Sequence, residues 1–423
     1  MKRVFLPFLA IGLVAAGIAT ASDASASRTD TAACTATDAT IYSPPASVSA
    51  RPGSVLACES VALPKVPDNV PMQAWKVQYA STDVTGEPIA VSGTVAVPTA
   101  PWTGTGSRPV VAYNPGTLGL GTKCAFSKQL AGAYQDELEG DQIAALLKAG
   151  YAVAATDGVG YLDGQVHPYV AGQDSGHALL DVARAAFAVP GAGLRAGTQV
   201  GIWGYSEGGA AALWAGQLAA SYAPDLHIVG DAAGGVPGDL KKVANQLNGG
   251  LFAGFLMDAV IGLRSAYPSE PFTSLLNANG KAAVASAESQ CLFGTLLTFL
   301  GANISSYSTD HLTLDQIYAL KGTDGTTWGQ VIDAQKLGVD IGTPGSSARY
   351  QIGFPVFQFR GLADEVLPVD AEAGTRQAYC DAHITTQWSQ YVGDHLLTDE
   401  ESIPDVINWF GQRFAGQPTL GNC

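Results

Sequence analysis

Apolar and polar positions along the chain fall into short blocks of two kinds. Ala74–Tyr79 and Pro88–Val97 are β-type runs with turn residues between them. Pro109–Tyr113 is a short apolar strand that ends in Asn114-Pro115-Gly116-Thr117. A helical pattern covers Tyr134–Ala149, with Leu138, Ile143, Leu146 and Leu147 available for one face. Tyr151–Thr156 is the next strand and closes at Asp157-Gly158. His177–Ala188 reads as a helix, Val200–Tyr205 as a strand, Ala210–Tyr222 as a helix and His227–Asp231 as a strand. Strands alternating with helices of roughly 10–15 residues predict an α/β fold, with a mostly parallel sheet and helices on both faces.

The alternation stops between Pro237 and Ser347, where helical periodicity takes over. Phe252, Phe255, Leu256, Ala259 and Leu263 recur at helix spacing, and Leu292, Phe293, Leu296, Leu297 and Leu300 form a second apolar cluster. Strand and helix alternate again at Pro355–Phe359, Ala371–Ala382, Thr386–Val392 and Ile403–Phe414. This predicts one α/β core, residues 72–236 and 348–423, interrupted by a helical cap or lid at residues 237–347. Residues 22–71, rich in Ala, Ser, Thr and Pro, read as an extended N-terminal arm. Before them, Lys2 and Arg3 precede an apolar run from Val4 to Ala19. Two small-residue cleavage patterns follow, Ala19-Thr20-Ala21 and Ala24-Ser25-Ala26. That is the pattern of a cleaved signal peptide over residues 1–21, with the cut as late as 26 in the second register. The run is short for a membrane span, and no later stretch is long and apolar enough to be one. The expectation is a secreted chain with no integral span.

Composition narrows the partners. Hydrophobic residues make up 47% of the chain and charged ones 14%, which supplies a large core and argues against disorder. The formal charge of −15 repels phosphate backbones and anionic head groups, so nucleic acid is a poor partner and a neutral substrate the better one. Six cysteines, an even number in an exported chain, predict three disulfides, although spacing alone leaves their pairing open. There is no C-x-x-C and no Cys/His cluster, so neither a metal nor an organic cofactor is implied.

The sharpest motif is Gly204-Tyr205-Ser206-Glu207-Gly208. It follows the Val200–Trp203 strand and opens a helix of small residues from Gly209. This is the context in which a tight strand-to-helix turn presents a serine nucleophile. A neutral hydroxyl needs a base, and the base needs an orienting acid, here expected later in the order Ser, Asp, His. Asp364 follows one late strand and His395 follows the last, 31 positions beyond it. Glu365 and Asp370 are alternative acids. His383 and His311 are rival bases, while His167, His177 and His227 precede the expected position. The oxyanion requires two N–H donors. One is expected from the backbone of Glu207, the other from Gly116 or Thr117 on the turn after Pro109–Tyr113. Phe252, Phe255, Leu256 and Leu297 are candidates for an acyl pocket.

With these residues in hand, the chain resembles the secretory lipase family from about Pro71 to Cys423. The matching segments are Tyr113–Thr117 with Cys124, Asp157–Tyr161, His167-Pro168-Tyr169, Leu180–Ala186, Gly204–Gly209, Gly361–Pro368 and Asp394-His395-Leu396. The resemblance implies an α/β-hydrolase core with a helical lid, acting on carboxylic esters through Ser206, Asp364 and His395. It also implies disulfides Cys124–Cys291 and Cys380–Cys423, which leaves Cys34 with Cys58. In the family's yeast type member an acidic side chain on the early turn serves the oxyanion, yet no Asp or Glu lies between Tyr113 and Cys124 here. The expected function is a secreted lipase or esterase, acting on a small-molecule or lipid ester with transient contact to a neutral lipid interface. An acyltransferase or peptidase on the same triad and a non-catalytic binding protein are the alternatives.

Overall fold

The computed structural model describes Met1, residues 34–133, Asp136 and residues 139–423. The leader read at residues 1–21, Met1 aside, lies outside the described residues, as do Tyr134 and Leu138 of the predicted Tyr134–Ala149 helix. The helix described there is Gly140–Lys148.

Among the described residues nine strands form the main sheet: β1 (Val55–Ser60), β2 (Met72–Thr82), β3 (Pro88–Pro98), β4 (Val110–Asn114), β5 (Ala152–Gly158), β6 (Gln199–Tyr205), β7 (His227–Gly234), β10 (Val356–Gly361) and β11 (Thr386–Tyr391). Two further strands, β8 (Ile341–Gly342) and β9 (Tyr350–Gln351), pair with each other. The order across the main sheet is β1-β2-β3-β5-β4-β6-β7-β10-β11. β1, β2, β3 and β5 pair antiparallel, and every ladder from β5 to β11 is parallel. The parallel strands are buried on both faces, which is why β4 reads as the unbroken run Val110-Val111-Ala112-Tyr113.

Two apolar cores cover the two faces. One lies under helices Gly172–Ala188 and Glu207–Tyr222, the other under Gly140–Lys148 and His395–Phe414. Small residues let the first pair of helices approach closely: a Cβ on Gly172 would stand 2.0 Å from the Trp214 indole nitrogen. In the second core Trp203 of β6 is fully buried, edge-on to Tyr113 at 5.5 Å. Burying such rings contributes roughly 1.5–3 kcal/mol each.

Between β7 and β10 the chain leaves the sheet and builds six α-helices: Leu240–Leu247, Ala253–Ala266, Ala278–Ala287, Leu292–Thr298, Leu314–Tyr318 and Trp328–Ala334. They pack around a third apolar core containing Leu256, Ile261 and Phe299. Sheet order and insertion together make this an α/β-hydrolase fold carrying a helical cap. Disulfides join Cys34 to Cys58, Cys124 to Cys291 and Cys380 to Cys423, the second tying the cap to the core. None of the described helices is long and apolar enough to cross a membrane.

The structure departs from the sequence reading at both ends of the described chain. The segment read as an extended arm supplies the edge strand β1, paired antiparallel with β2. The last helix begins at His395, eight residues before the expected Ile403, and runs through Pro404.

Candidate active site

Ser206 sits where β6 turns into helix Glu207–Tyr222, with φ 56° and ψ −119°. A side chain at positive φ is strained by on the order of 1–3 kcal/mol, and the surroundings must hold it there. They do so by close backbone approach. A Cβ on Gly208 would stand 2.1 Å from the Asn114 carbonyl oxygen, and one on Gly209 2.3 Å from that of Gly234. The Ser206 N–H donates to Gly234 O at 2.9 Å. The turn is thereby locked against β4 and β7, and the serine side chain stays partly open to the space beneath the cap.

His395 is the first residue of its helix, whose N-cap Asp394 accepts from the Leu397 N–H at 2.9 Å. Its Nδ1 lies 2.7 Å from Asp364 Oδ2, and its Nε2 3.0 Å from Ser206 Oγ. A carboxylate only accepts, so Nδ1 carries the proton and Nε2 offers its lone pair to the serine hydroxyl. Asp364 Oδ1 accepts from the N–H groups of Val366 (3.0 Å) and Leu367 (2.8 Å). Burial opposes the charge on Asp364, but His395 and these two N–H groups outweigh it and hold the carboxyl below its ordinary value. This arrangement can move a proton from Ser206 to His395 and stabilise the resulting imidazolium.

None of the alternative residues takes the place of Asp364 or His395 in this line of contacts. Asp370 pairs with Lys242 at 2.8 Å, and the Glu365 carboxylate accepts from the backbone N–H of His395 at 3.2 Å. His177 stacks on Tyr222 at 4.0 Å, and His311 is exposed with its ring on the Ser305 carbonyl. His227 is exposed at the start of β7, and His383 lies beyond helix Val369–Asp381 at φ 59°. His167 faces Glu207, with Nε2 2.7 Å from Oε1.

Of the two turn donors, the Gly116 N–H is already donated to Glu139 Oε1 at 2.7 Å, which removes it from the pair. Thr117 lines the same cavity as Ser206, and its N–H has no protein acceptor among the described residues. Nor does the Glu207 N–H, as the first residue of a helix leaves it. The other oxygen of Glu139 accepts from the Tyr113 hydroxyl at 2.6 Å. Glu139 lies 23 positions beyond the turn it contacts, so no local pattern announces it.

Two cavities meet at Ser206. One, of about 120 Å³, runs under the cap between apolar side chains that include Phe255, Leu256 and Val366. The other, of about 170 Å³, holds His395, Thr117, Phe252 and Phe255. Leu297, expected to line an acyl pocket, is instead 78% exposed on the outer face of the short helix Leu292–Thr298 and lines neither cavity. That helix buries only Leu292 and Thr295, so the apolar spacing that suggested a pocket face points partly outward.

Residues 126–422 match the model of the family described as secretory lipase. The chain is 28% identical to a Mycobacterium tuberculosis protein described as a probable inactive lipase, over 90% of this chain and 83% of that one. It is 27% identical to lipase 10 of Candida albicans, over 90% and 82%. Its structure is similar to that of Candida antarctica lipase A in its closed state. The TM-score is 0.75 at 25% identity, covering 90% of this chain and 87% of that one.

Proposed function

We propose, from the premise that this chain belongs to the secretory lipase family, that it is a secreted carboxylic-ester hydrolase working through a Ser206–His395–Asp364 triad. The observation that carries the reading is the continuous line of contacts from Asp364 Oδ2 through both ring nitrogens of His395 to Ser206 Oγ, at 2.7 and 3.0 Å. Ser206 Oγ attacks the ester carbonyl while His395 Nε2 takes its proton. The N–H groups of Glu207 and Thr117 receive the developing oxyanion. His395 then returns the proton to the departing alkoxide, leaving an acyl-enzyme that water hydrolyses by the same steps in reverse.

The apolar cavity under the cap suits the acyl chain, since almost all of its lining is aliphatic or aromatic. The second cavity, which contains His395, suits the alcohol, because that is where the leaving oxygen collects its proton. Phe293 and Leu396 line that cavity while 41% and 56% exposed, which fits contact with a neutral lipid, triacylglycerol included. Three disulfides fit an oxidising compartment.

One relative is described as probably inactive, so a non-catalytic role is the reading to test against. The test is hydrolysis of p-nitrophenyl esters from acetate to palmitate by the wild type and Ser206→Ala. Activity that falls by roughly 10⁴-fold or more in the mutant is expected, with a chain-length optimum that separates esterase from lipase. A folded wild type without activity, or equal rates in both proteins, overturns the proposal.

A further inference from the structure

The segment His167-Pro168-Tyr169 touches neither Asp364 nor His395, yet it reaches both residues offered above as oxyanion donors. His167 Nε2 lies 2.7 Å from the Glu207 carboxylate, and the Tyr169 hydroxyl lies 2.8 Å from Thr117 Oγ1. We propose that this segment is a two-pronged brace that sets the two arms of the oxyanion hole, with His167 positioning Glu207 and Tyr169 positioning Thr117. The inference rests on the reading of Ser206 as nucleophile.

The brace is itself tightly held. His167 Nδ1 lies 2.6 Å from the Val159 carbonyl oxygen, which can only accept, so Nδ1 carries a proton. Nε2 then meets Glu207 across a contact that needs one more proton, shared by the pair in a site where both side chains are 5% exposed. Burial works against an imidazolium here. The Glu207 charge and hydrogen bond, together with the Val159 carbonyl, overcome it and raise His167 above its ordinary value. The ring also stacks on Tyr161 at 4.8 Å.

Val170, next in the chain, sits at φ 58°, a conformation that costs a β-branched residue free energy and persists only where its surroundings impose it. Those surroundings include the cap. A Cβ on Gly262 of helix Ala253–Ala266 would stand 2.8 Å from the His167 carbonyl oxygen and 2.7 Å from the Tyr169 nitrogen. The segment is thus clamped between cap and nucleophile turn. It fixes two N–H groups, one on the turn after β4 and one at the start of the helix after Ser206, that have no partner of their own among the described residues. A donor that drifts costs rate in the transition state and little in substrate binding.

The test uses the full secreted chain and counts working sites by stoichiometric reaction with a p-nitrophenyl phosphonate. Tyr169→Phe and Thr117→Val are each expected to lower kcat per site by about ten-fold, part of the 10²–10³ that deletion of a whole donor costs. KM should stay within about two-fold, and the inhibition constant of a trifluoromethyl ketone should weaken by the same factor as kcat/KM. The double variant should fall no further than the worse single one, because both changes break one contact. Glu207→Ala and His167→Ala should lose at least about 30-fold. Glu207→Gln should recover most of that loss, since its amide can donate to a neutral His167.

Rates per site within two-fold of wild type in Tyr169→Phe and Glu207→Ala overturn the brace. So does a loss in kcat that leaves ketone binding unmoved. If Glu207→Ala does not fold, the Tyr169–Thr117 cycle decides alone. A wild type that the phosphonate cannot label sinks the hydrolase reading itself, whereas labelled and unaffected variants sink only the brace.

Discussion

Replacing Asp364 with Asn changes one acceptor into a donor and little else, so its cost can be worked out from the contacts. The Asn Oδ1 can still accept from the Val366 and Leu367 N–H groups, which keeps the loop in place. Its amide NH₂ then faces His395 Nδ1 where Asp364 Oδ2 stood at 2.7 Å, so Nδ1 must become the acceptor and the ring proton moves to Nε2. There it points at Ser206 Oγ, and the base has no lone pair left for the serine proton. A wrong tautomer of this kind costs about 10⁴ in kcat, or about 5 kcal/mol of transition-state stabilisation. The assay is the initial rate on p-nitrophenyl butyrate per phosphonate-titrated site, with Glu365→Gln in parallel. Among the described residues the Glu365 carboxylate hydrogen-bonds to the backbone N–H of His395 and not to its ring, so its variant should stay within about ten-fold of wild type. An Asp364→Asn enzyme that keeps more than a tenth of its rate, or a larger loss in Glu365→Gln, would refute the assignment of the acid. Asp364 lies below its ordinary value, so its contribution to stability is full above the unfolded value of about 3.9 and is lost as pH falls through the lower folded value.

Asp174, on helix Gly172–Ala188, is pushed up to about 7 by burial, against a hydrogen bond from the Val84 N–H. The folded state therefore keeps a proton that the unfolded chain releases near 3.9, and stability falls as pH rises between those values, by at most about 4 kcal/mol. Asp174→Asn should raise Tm at pH 8 and have little effect near pH 4; an equal shift at both would reject the argument. The Cys124–Cys291 bridge spans 167 positions, so its removal in a Cys124→Ala/Cys291→Ala variant should lower the urea unfolding free energy by up to about 5 kcal/mol in the chain-entropy model. No loss would show that the bridge constrains nothing in the unfolded chain. The cavity assigned to the alcohol is lined by Asp136, Glu139, Glu365 and Glu400, and by Asp399, which burial pushes up to about 7, with no Lys or Arg among its described lining. At equal acyl length, an ester of a cationic alcohol should exceed one of an anionic alcohol in kcat/KM by at least about ten-fold at low salt, the gap narrowing at 0.5 M NaCl. Equal rates would place the alcohol elsewhere.

The parts of the fold that the sequence made legible are those whose signal is local. β6 and the helix after Ser206 stand out because an apolar strand runs straight into Gly204-Tyr205-Ser206-Glu207-Gly208 and a train of small residues. The cap is visible as a change of period. The start of the last helix was obscured because residues 398–402, Thr-Asp-Glu-Glu-Ser, are polar and Pro404 reads as a breaker. What carries the helix through is burial beyond the proline, where Val406, Trp409 and Phe410 pack into the core. β1 was hidden for a related reason. Val55–Ser60 lies in Ser- and Pro-rich surroundings, and its structure comes from pairing with β2 and from the Cys34–Cys58 bridge rather than from its own pattern.

The site divides along the same line. Motif spacing points to Ser206, and strand order narrows the search for Asp364 and His395, because all three residues fall just beyond the ends of strands that a pattern can locate. The buried polar groups around the proposed oxyanion donors do not. Glu139 acts on Gly116 across 23 positions, His167 on Glu207 across 40 and Tyr169 on Thr117 across 52. Each is a buried polar contact between segments that only the packed sheet and cap bring together. The single trace of them in the sequence is His167-Pro168-Tyr169, a segment that matched the family without a chemical role. A hydrolase fold specifies its nucleophile locally and its transition-state geometry globally. A chain with an intact triad can therefore still lose rate through residues outside it. For that reason the Tyr169 and Thr117 variants probe more of this protein's chemistry than another triad mutation would.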